Sequence, residues 1–296
     1  ELAGHMVGRK VVFRVEKGPC RPGNPVAEVS GLVVAGTGGA QAVSGVSFTV
    51  RRGEIVGIAG VNGNGQSELA EALSGTRPVE LGEIRLLGED ITGDSVARRR
   101  NDGIACIPED RMHTGLNLET TLDENVVVTR YRGSEFSRFL MMKSGAISRL
   151  ARKIADDFDI RAAVPGEGIA SLSGGNLQKI VLGRELQGNP AFIIANQPTR
   201  GLDVGSIEFV HGKLIEARDG GAGILLISVE LEEILSLSDR ILVMYGGTIA
   251  GEMEAGRANE ENLGILMAGG SLAGAVSGAG VSTGGNPAAG GGGRKG

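Results

Sequence analysis

The chain has 296 residues, room for one large domain or two modest ones, and 51 of them are glycine, about one in six against a usual share near 7%. A net charge of -5 argues against a basic surface of the kind that coats nucleic acid. No apolar run approaches the roughly 18 residues of a membrane span. The two cysteines, Cys20 and Cys106, are too few for a disulfide framework and lack metal-type pairing, so a reducing, cytosolic setting is expected.

In chain order, residues 1–26 hold the short run VVFRV and then the Pro/Gly cluster GPCRPGNP, which reads as a linker. A domain is expected from Ala27. Two β-like runs follow, EVSGLVV and VSFTV, then IVGIAG, whose continuous apolar character suits a strand covered on both faces. That strand feeds a glycine-rich turn and the helix QSELAEALSG. Next come the strand EIRLLG, the basic helical stretch SVARRRN and the strand GIACI. Residues 116–168 show helical spacing with little β alternation and predict an inserted helical subdomain. Alternation then resumes: helix NLQKIVLGRELQG, strand AFIIA, helix SIEFVHGKLIEARD, strand GILLIS, helix LEEILSLSD, strand RILVMY, a hairpin in GGTIAGEME and a short helix ending near Met267. Residues 269–296 are Gly-rich, with too little apolar surface to offset ordering entropy, and predict a flexible tail. The fold class expected is α/β, with a mainly parallel sheet, an antiparallel addition near its start and the helical insert.

Gly60, Val61, Asn62, Gly63, Asn64, Gly65, Gln66 and Ser67 fit the phosphate-loop spacing GxxxxGK[ST] at every fixed position but the lysine, which is Gln66. Glycines let backbone N–H groups turn inward on phosphate oxygens, and the following helix aims its positive end at the anion. Ser67 would offer a hydroxyl to Mg²⁺. Loss of the lysine removes a charge-assisted contact of about 1.5 to 3 kcal/mol. Glu68 adds a carboxylate that either caps the helix or repels the terminal phosphate.

Leu172, Ser173, Gly174, Gly175 and Asn176 place a serine and two glycines at another helix start, a second backbone anion site. LSGGN about a hundred residues after a phosphate loop resembles the signature motif of ATP-binding cassette (ABC) transporter ATPases. The rest of the cassette order follows from Ala27 to Met267, with ANQPTRGLD resembling the Walker B and D-loop segment, IPEDR at the Q-loop and SVELEEILSLSD at the switch segment. The resemblance implies a P-loop NTPase fold, ATP and Mg²⁺ as cofactors, and two cassettes packed head to tail. Each ATP would lie between one cassette's phosphate loop and the other's signature.

Measured against that family, the Walker B aspartate position is Asn196, the catalytic glutamate position is Gln197 and the switch histidine position is Val229, so no catalytic set is intact. Neither amide serves as a general base near neutral pH. Glu109 replaces the Q-loop glutamine, leaving Ser67, Glu109 and Asn196 as a weak Mg²⁺ set. VVAGTGGAQ offers no aromatic where the family stacks one on adenine. The signature and the D-loop Asp203, parts that a cassette lends to its partner's nucleotide, are retained. The resemblance therefore implies pairing with an intact cassette, contact with transmembrane permease subunits, an indirect link to a solute-binding protein, and no nucleic-acid partner. GHMVGRK resembles the close of a preceding cassette, so residues 1–26 are expected to end such a unit, residues 27–268 to form the nucleotide-binding domain, and the whole to be the second half of a tandem importer ATPase. The motif set resembles the nucleoside-type branch more than the ribose or galactose one, which places the chain peripherally at the cytoplasmic face of the membrane. Two other readings remain: a self-sufficient ATPase with atypical catalytic residues, and a soluble ABC protein acting on ribosomes or DNA.

Of the remaining features, His5, His113 and His211 are read as isolated surface or core residues. Arg98, Arg99 and Arg100 read as a solvated helix face, with contact to a partner as the alternative. FSRFLMM stands either as a partner-facing patch or as core, and Cys106 as a small hydrophobe.

Overall fold

A computed structural model describes residues 17–139, 141–161 and 164–271. The expectations for VVFRV, GHMVGRK, His5 and the tail from residue 272 lie outside the described residues.

Two sheets organise the chain. Strands β1 (Pro25–Ala35) and β2 (Gln41–Arg51) pair antiparallel, and β4 (Leu81–Leu86) with β5 (Glu89–Asp90) extends them into a sheet of order β2-β1-β4-β5. The second sheet is built on β3 (Ile55–Ala59), β6 (Ile104–Ile107), β9 (Phe192–Asn196), β10 (Gly223–Ser228) and β11 (Arg240–Tyr245), all parallel. The last strand, β12 (Thr248–Glu254), closes one edge antiparallel, giving the order β12-β11-β3-β10-β9-β6. β3, β9 and β10 are buried at every position, as their unbroken apolar runs require of strands covered on both faces.

Helix α1 (Gln66–Ser74) lies between the sheets, its Leu69 and Leu73 packing in one cluster with Leu32, Val43 and Ile84 of the first sheet and Ile58 and Ile227 of the second. Against the opposite face of the parallel sheet lie α5 (Gly174–Leu186), α6 (Val204–Asp219), α7 (Leu231–Leu237) and α8 (Glu260–Met267), through Ile180, Leu214, Ile234 and Leu263. Side chains set the helix starts. Ser173 caps α5 and Asp203 caps α6, so both begin two residues ahead of the apolar periodicity that signals them. The region expected to be helical contains α3 (Leu122–Val127), opened by a Thr121–Glu124 capping box, and α4 (Ser144–Asp157).

Two readings are corrected. Between α3 and α4 the chain makes a small hairpin of β7 (Ser137–Arg138) and β8 (Met141–Met142), because Phe136 anchors in an apolar cluster with Val127 and Ile147 while Phe139, at φ +55°, turns out to 94% exposure. The arginine run is a solvated face only at Arg98. On α2 (Val96–Asn101), Arg99 is only 2% exposed and donates to the carbonyls of Ala72, Leu73, Thr92 and Asp94, tying α2 to the C-terminal end of α1, while Arg100 pairs with Glu185 at 2.8 Å. Cys106 does sit in a strand, where burial pushes its thiol up to about 12.

The linker residues are fastened to the base of the parallel sheet. Lys17 reaches the Leu237 carbonyl at 3.0 Å and Asp239 at 3.2 Å, and Arg218 donates to the Gly18 carbonyl at 2.8 Å.

Candidate nucleotide site and the second glycine-rich helix start

The C-terminal ends of β3, β9 and β10 deliver the sequence-predicted residues to one end of the sheet, the edge at which open α/β sheets bind ligands. After β3 the chain enters the loop Gly60–Gly65 and passes directly into α1. Gly65 is the pivot. It sits at φ +100°, and a Cβ there would lie 2.1 Å from the Ala42 carbonyl oxygen, so no other residue turns the strand into the helix here. The Asn64 side chain fastens the loop to the turn after β11, accepting from the Gly246 N–H at 2.8 Å and donating to the Val61 carbonyl at 3.1 Å.

Gln66 points back into the loop. Its Oε1 accepts the Asn64 N–H at 3.1 Å and its Nε2 donates to the Val61 carbonyl at 3.0 Å, and the residue is 7% exposed. Ser67 donates its hydroxyl to Glu109 Oε2 at 3.1 Å, and the other carboxylate oxygen of Glu109 pairs with Arg200. Glu68 stands in the first turn of α1.

Beside the loop lies a cleft of about 340 Å³ whose lining includes Asn62, Glu109, Gln197, Arg200 and Val229. Among the lining residues Arg200 carries the one fixed positive charge, against Glu109, Glu230, Glu232 and Glu233. Asn196 ends β9 at 7% exposure, and Gln197 follows at φ +50°, a left-handed conformation unusual outside glycine and held by its N–H on the Ile227 carbonyl at 2.8 Å.

The signature run and Asp203 form a separate group, since none of Leu172–Asn176 lines that cleft. Leu172 packs against the main core. Ser173 accepts the Asn176 N–H at 3.4 Å, and the Asn176 side chain accepts the Arg161 N–H at 3.2 Å. A Cβ on Gly175 would lie 2.2 Å from Ser206 Oγ, so the start of α5 presses on the start of α6. There Asp203 accepts from the Ser206 N–H at 3.0 Å and hydroxyl at 2.7 Å, bonds that hold its carboxyl below the usual carboxylate range. Arg111 braces the same corner, donating to the Arg200 carbonyl at 2.7 Å and passing close to Gly174.

Sequence reasoning assigned no role to Arg200, Arg111 or the buried set behind the D-loop, in which Glu233 accepts from Thr199 Oγ1 at 2.8 Å and lies 2.9 Å from His211 Nε2. Thr199 and Arg200 are adjacent in the quoted ANQPTRGLD run, but their partners come from α7 and the Q-loop and carry no local signal. His211 is accordingly a bonded core residue, and His113 is an exposed one whose Nδ1 lies 2.7 Å from Asp110.

As a nucleotide site the cleft gives a mixed fit. Loop glycines and the start of α1 suit a phosphate, whereas Gln66 brings no charge and its amide already bonds the loop. Of the oxygen donors expected for Mg²⁺, Ser67 and Glu109 bond each other, and Asn196 is neutral. No cluster of three or more His, Cys, Asp or Glu side chains forms a metal set among the described residues.

A parallel sheet with a phosphate loop after its central strand, a second capped glycine pair on α5 and a helical insert define the class as a P-loop ATP-binding cassette. Residues 43–200 match the family model described as ABC transporter, and the chain belongs to that family, whose cassette domains bind ATP. It is 45% identical over 269 residues to the guanosine import ATP-binding protein NupO of Bacillus subtilis, covering 91% of this chain and 53% of that protein. Identity to the nucleoside import ATP-binding protein NupA of Lactococcus lactis subsp. cremoris is 43% over 272 residues, covering 92% and 54%. The chain thus spans about half the length of the curated relatives it matches. Its fold matches the crystal structure of a nucleotide-free ATP-binding cassette from an ABC transporter with a TM-score of 0.66 at 22% identity, covering 83% of this chain and 96% of that one.

Proposed function

We propose that this chain is the second, degenerate cassette of a tandem importer ATPase, in which it completes a partner cassette's nucleotide site and passes ATP-driven closure to permease subunits. The observation that carries the reading is the contrast at its two glycine-rich helix starts. Ser173, Gly174 and Gly175 stand ready at the start of α5, with Asp203 beside them, while Gln66 occupies its own phosphate loop. Phosphoryl transfer rests on positioning and charge, which here would come from an intact partner's lysine, Mg²⁺ ligands and glutamate. This chain's residues would orient the partner's terminal phosphate through the Ser173 hydroxyl and the N–H groups of Gly174 and Gly175.

The relatives named for guanosine and nucleoside import favour a nucleoside as the transported solute, with a simple sugar as the alternative. Their length, about twice the matched region, fits residues 1–26 as the end of a preceding cassette and residues 27–268 as the second one. The insert spanning about residues 116–168 exposes the apolar side chains of Val128, Tyr131, Phe139, Met141 and Met142, which would suit contact with a membrane subunit's cytoplasmic loop. No helix among the described residues is long and apolar enough to cross a membrane, and attachment through such a subunit would hold the chain peripherally at the cytoplasmic face. A solute-binding protein would act only through those subunits.

The test is Gly175→Val in the assembled transporter. Added bulk against Ser206 and the signature should lower solute transport by at least about a hundredfold, the scale of losing an oxyanion-type donor. Unchanged transport, or steady phosphate release by the purified wild-type chain alone, overturns the reading.

A further inference from the structure

The position that the phosphate loop gives to glutamine need not be a passive loss. Gln66 is more than nine-tenths buried, and both polar atoms of its amide are used inside the loop. Oε1 takes the Asn64 N–H, one of the inward-facing groups through which a loop of this spacing would grip phosphate, and Nε2 returns a proton to the Val61 carbonyl. How far the amide fills the loop is visible at Gly60, where a Cβ would lie 2.3 Å from Gln66 Nε2. The neighbouring hydroxyl is committed as well, because Ser67 donates to Glu109 and Glu109 is paired with Arg200 across the cleft.

We propose that Gln66 is an internal plug: its side-chain amide stands in for phosphate on the loop and sets the chain's selectivity against nucleotide. The inference rests on the degenerate-cassette reading and deepens it, turning a missing charge into an occupied position. A lysine substituted by an indifferent residue would merely weaken binding. A glutamine that accepts a loop N–H and donates to a loop carbonyl competes with the ligand, and nucleotide must break both bonds before it is held. The two cases part on one substitution: removing an indifferent side chain changes nothing, whereas removing a plug tightens binding.

Calorimetric titration of the full chain with MgATP, comparing wild type with Gln66→Ala, reads that difference. The plug predicts that the alanine variant binds about ten-fold more tightly than wild type, the worth of two competing hydrogen bonds. Equal or weaker binding overturns it, the weaker case making Gln66 a ligand. Amide hydrogen exchange on the nucleotide-free wild-type chain gives a second reading that needs no variant. The Asn64 N–H should be protected, and fast exchange there overturns the plug. A Gln66→Ala result against the plug leaves signature donation standing, since that reading depends on transport by Gly175→Val, whereas steady phosphate release by the wild-type chain removes the degenerate reading itself.

Discussion

Helices α1 and α5 open from similar sequence, a glycine-rich approach followed by an amide-bearing residue in the first turn, GNGQS in one and SGGNL in the other. At α1 the amide of Gln66 folds back onto the loop behind it, and the first-turn hydroxyl of Ser67 is given to Glu109. At α5 the amide of Asn176 reaches away to the Arg161 backbone, and Ser173 stands ahead of the helix as its cap. The difference lies in one residue's distance from the turn. Gln66 follows Gly65 directly and is long enough to reach Asn64 and Val61, whereas Asn176 lies two residues inside its helix and points off the axis. One motif grammar thus yields a start whose amide is spent on the loop behind it and a start capped by its own serine, and a count of retained motif letters does not tell them apart.

The seam between the two regions is the place to break this contrast. Glu233 on α7 binds Thr199 in the D-loop turn and His211 on α6, all buried. Glu233→Leu would strip a buried hydroxyl and a buried imidazole of their shared acceptor. The expected loss of stability is on the order of 3 kcal/mol, measured by urea unfolding. A loss under about 1 kcal/mol would mean that the D-loop does not lean on α7 and that the two regions are held by the sheet alone.

Gln66→Lys sharpens the contrast from the other side. Restoring the cation at the loop should raise MgATP affinity by about ten- to a hundredfold, the worth of a charge-assisted contact. Phosphate release should stay at background, because the amides of Asn196 and Gln197 and the aliphatic Val229 offer no general base. Calorimetry and a phosphate assay on one sample check both halves. Turnover restored by the lysine alone would show that the loop was the single defect.

Much of this arrangement is legible in sequence because it is local. The continuous apolar runs of β3, β9 and β10, the loop spacing from Gly60 to Ser67 and the LSGGN helix start each declare themselves within ten residues. What escapes is set by partners distant in the chain. Arg99 reads as one of three surface arginines until the carbonyls ending α1 are placed around it, and Arg200 pairs with a glutamate 91 positions away. The β7–β8 hairpin escapes for another reason. Two strands of two residues are too short for alternation to stand out from helical spacing, and what separates them is the burial of Phe136 against α3 and α4.

The smallest effect concerns the corner where the starts of α5 and α6 meet. Asp203 caps α6 with two bonds from Ser206, and Ser206 also meets the start of α5 at Gly175. Ser206→Ala removes the hydroxyl bond and should cost about 1 kcal/mol or less, a fall of a few degrees at most in melting temperature, since the cap is solvent-exposed. The same bonds depress the Asp203 carboxyl, so the folded state binds its proton less readily than the unfolded chain. Their contribution is therefore full above the ordinary aspartate range and is lost as pH falls through the lowered folded-state value. Ser206→Ala should accordingly melt below wild type at pH 7 and draw level with it in acid. A gap that persists once Asp203 is protonated in the folded state would assign the loss to packing of Ser206 against Gly175, and would make that contact rather than the cap the element that holds the two helix starts together.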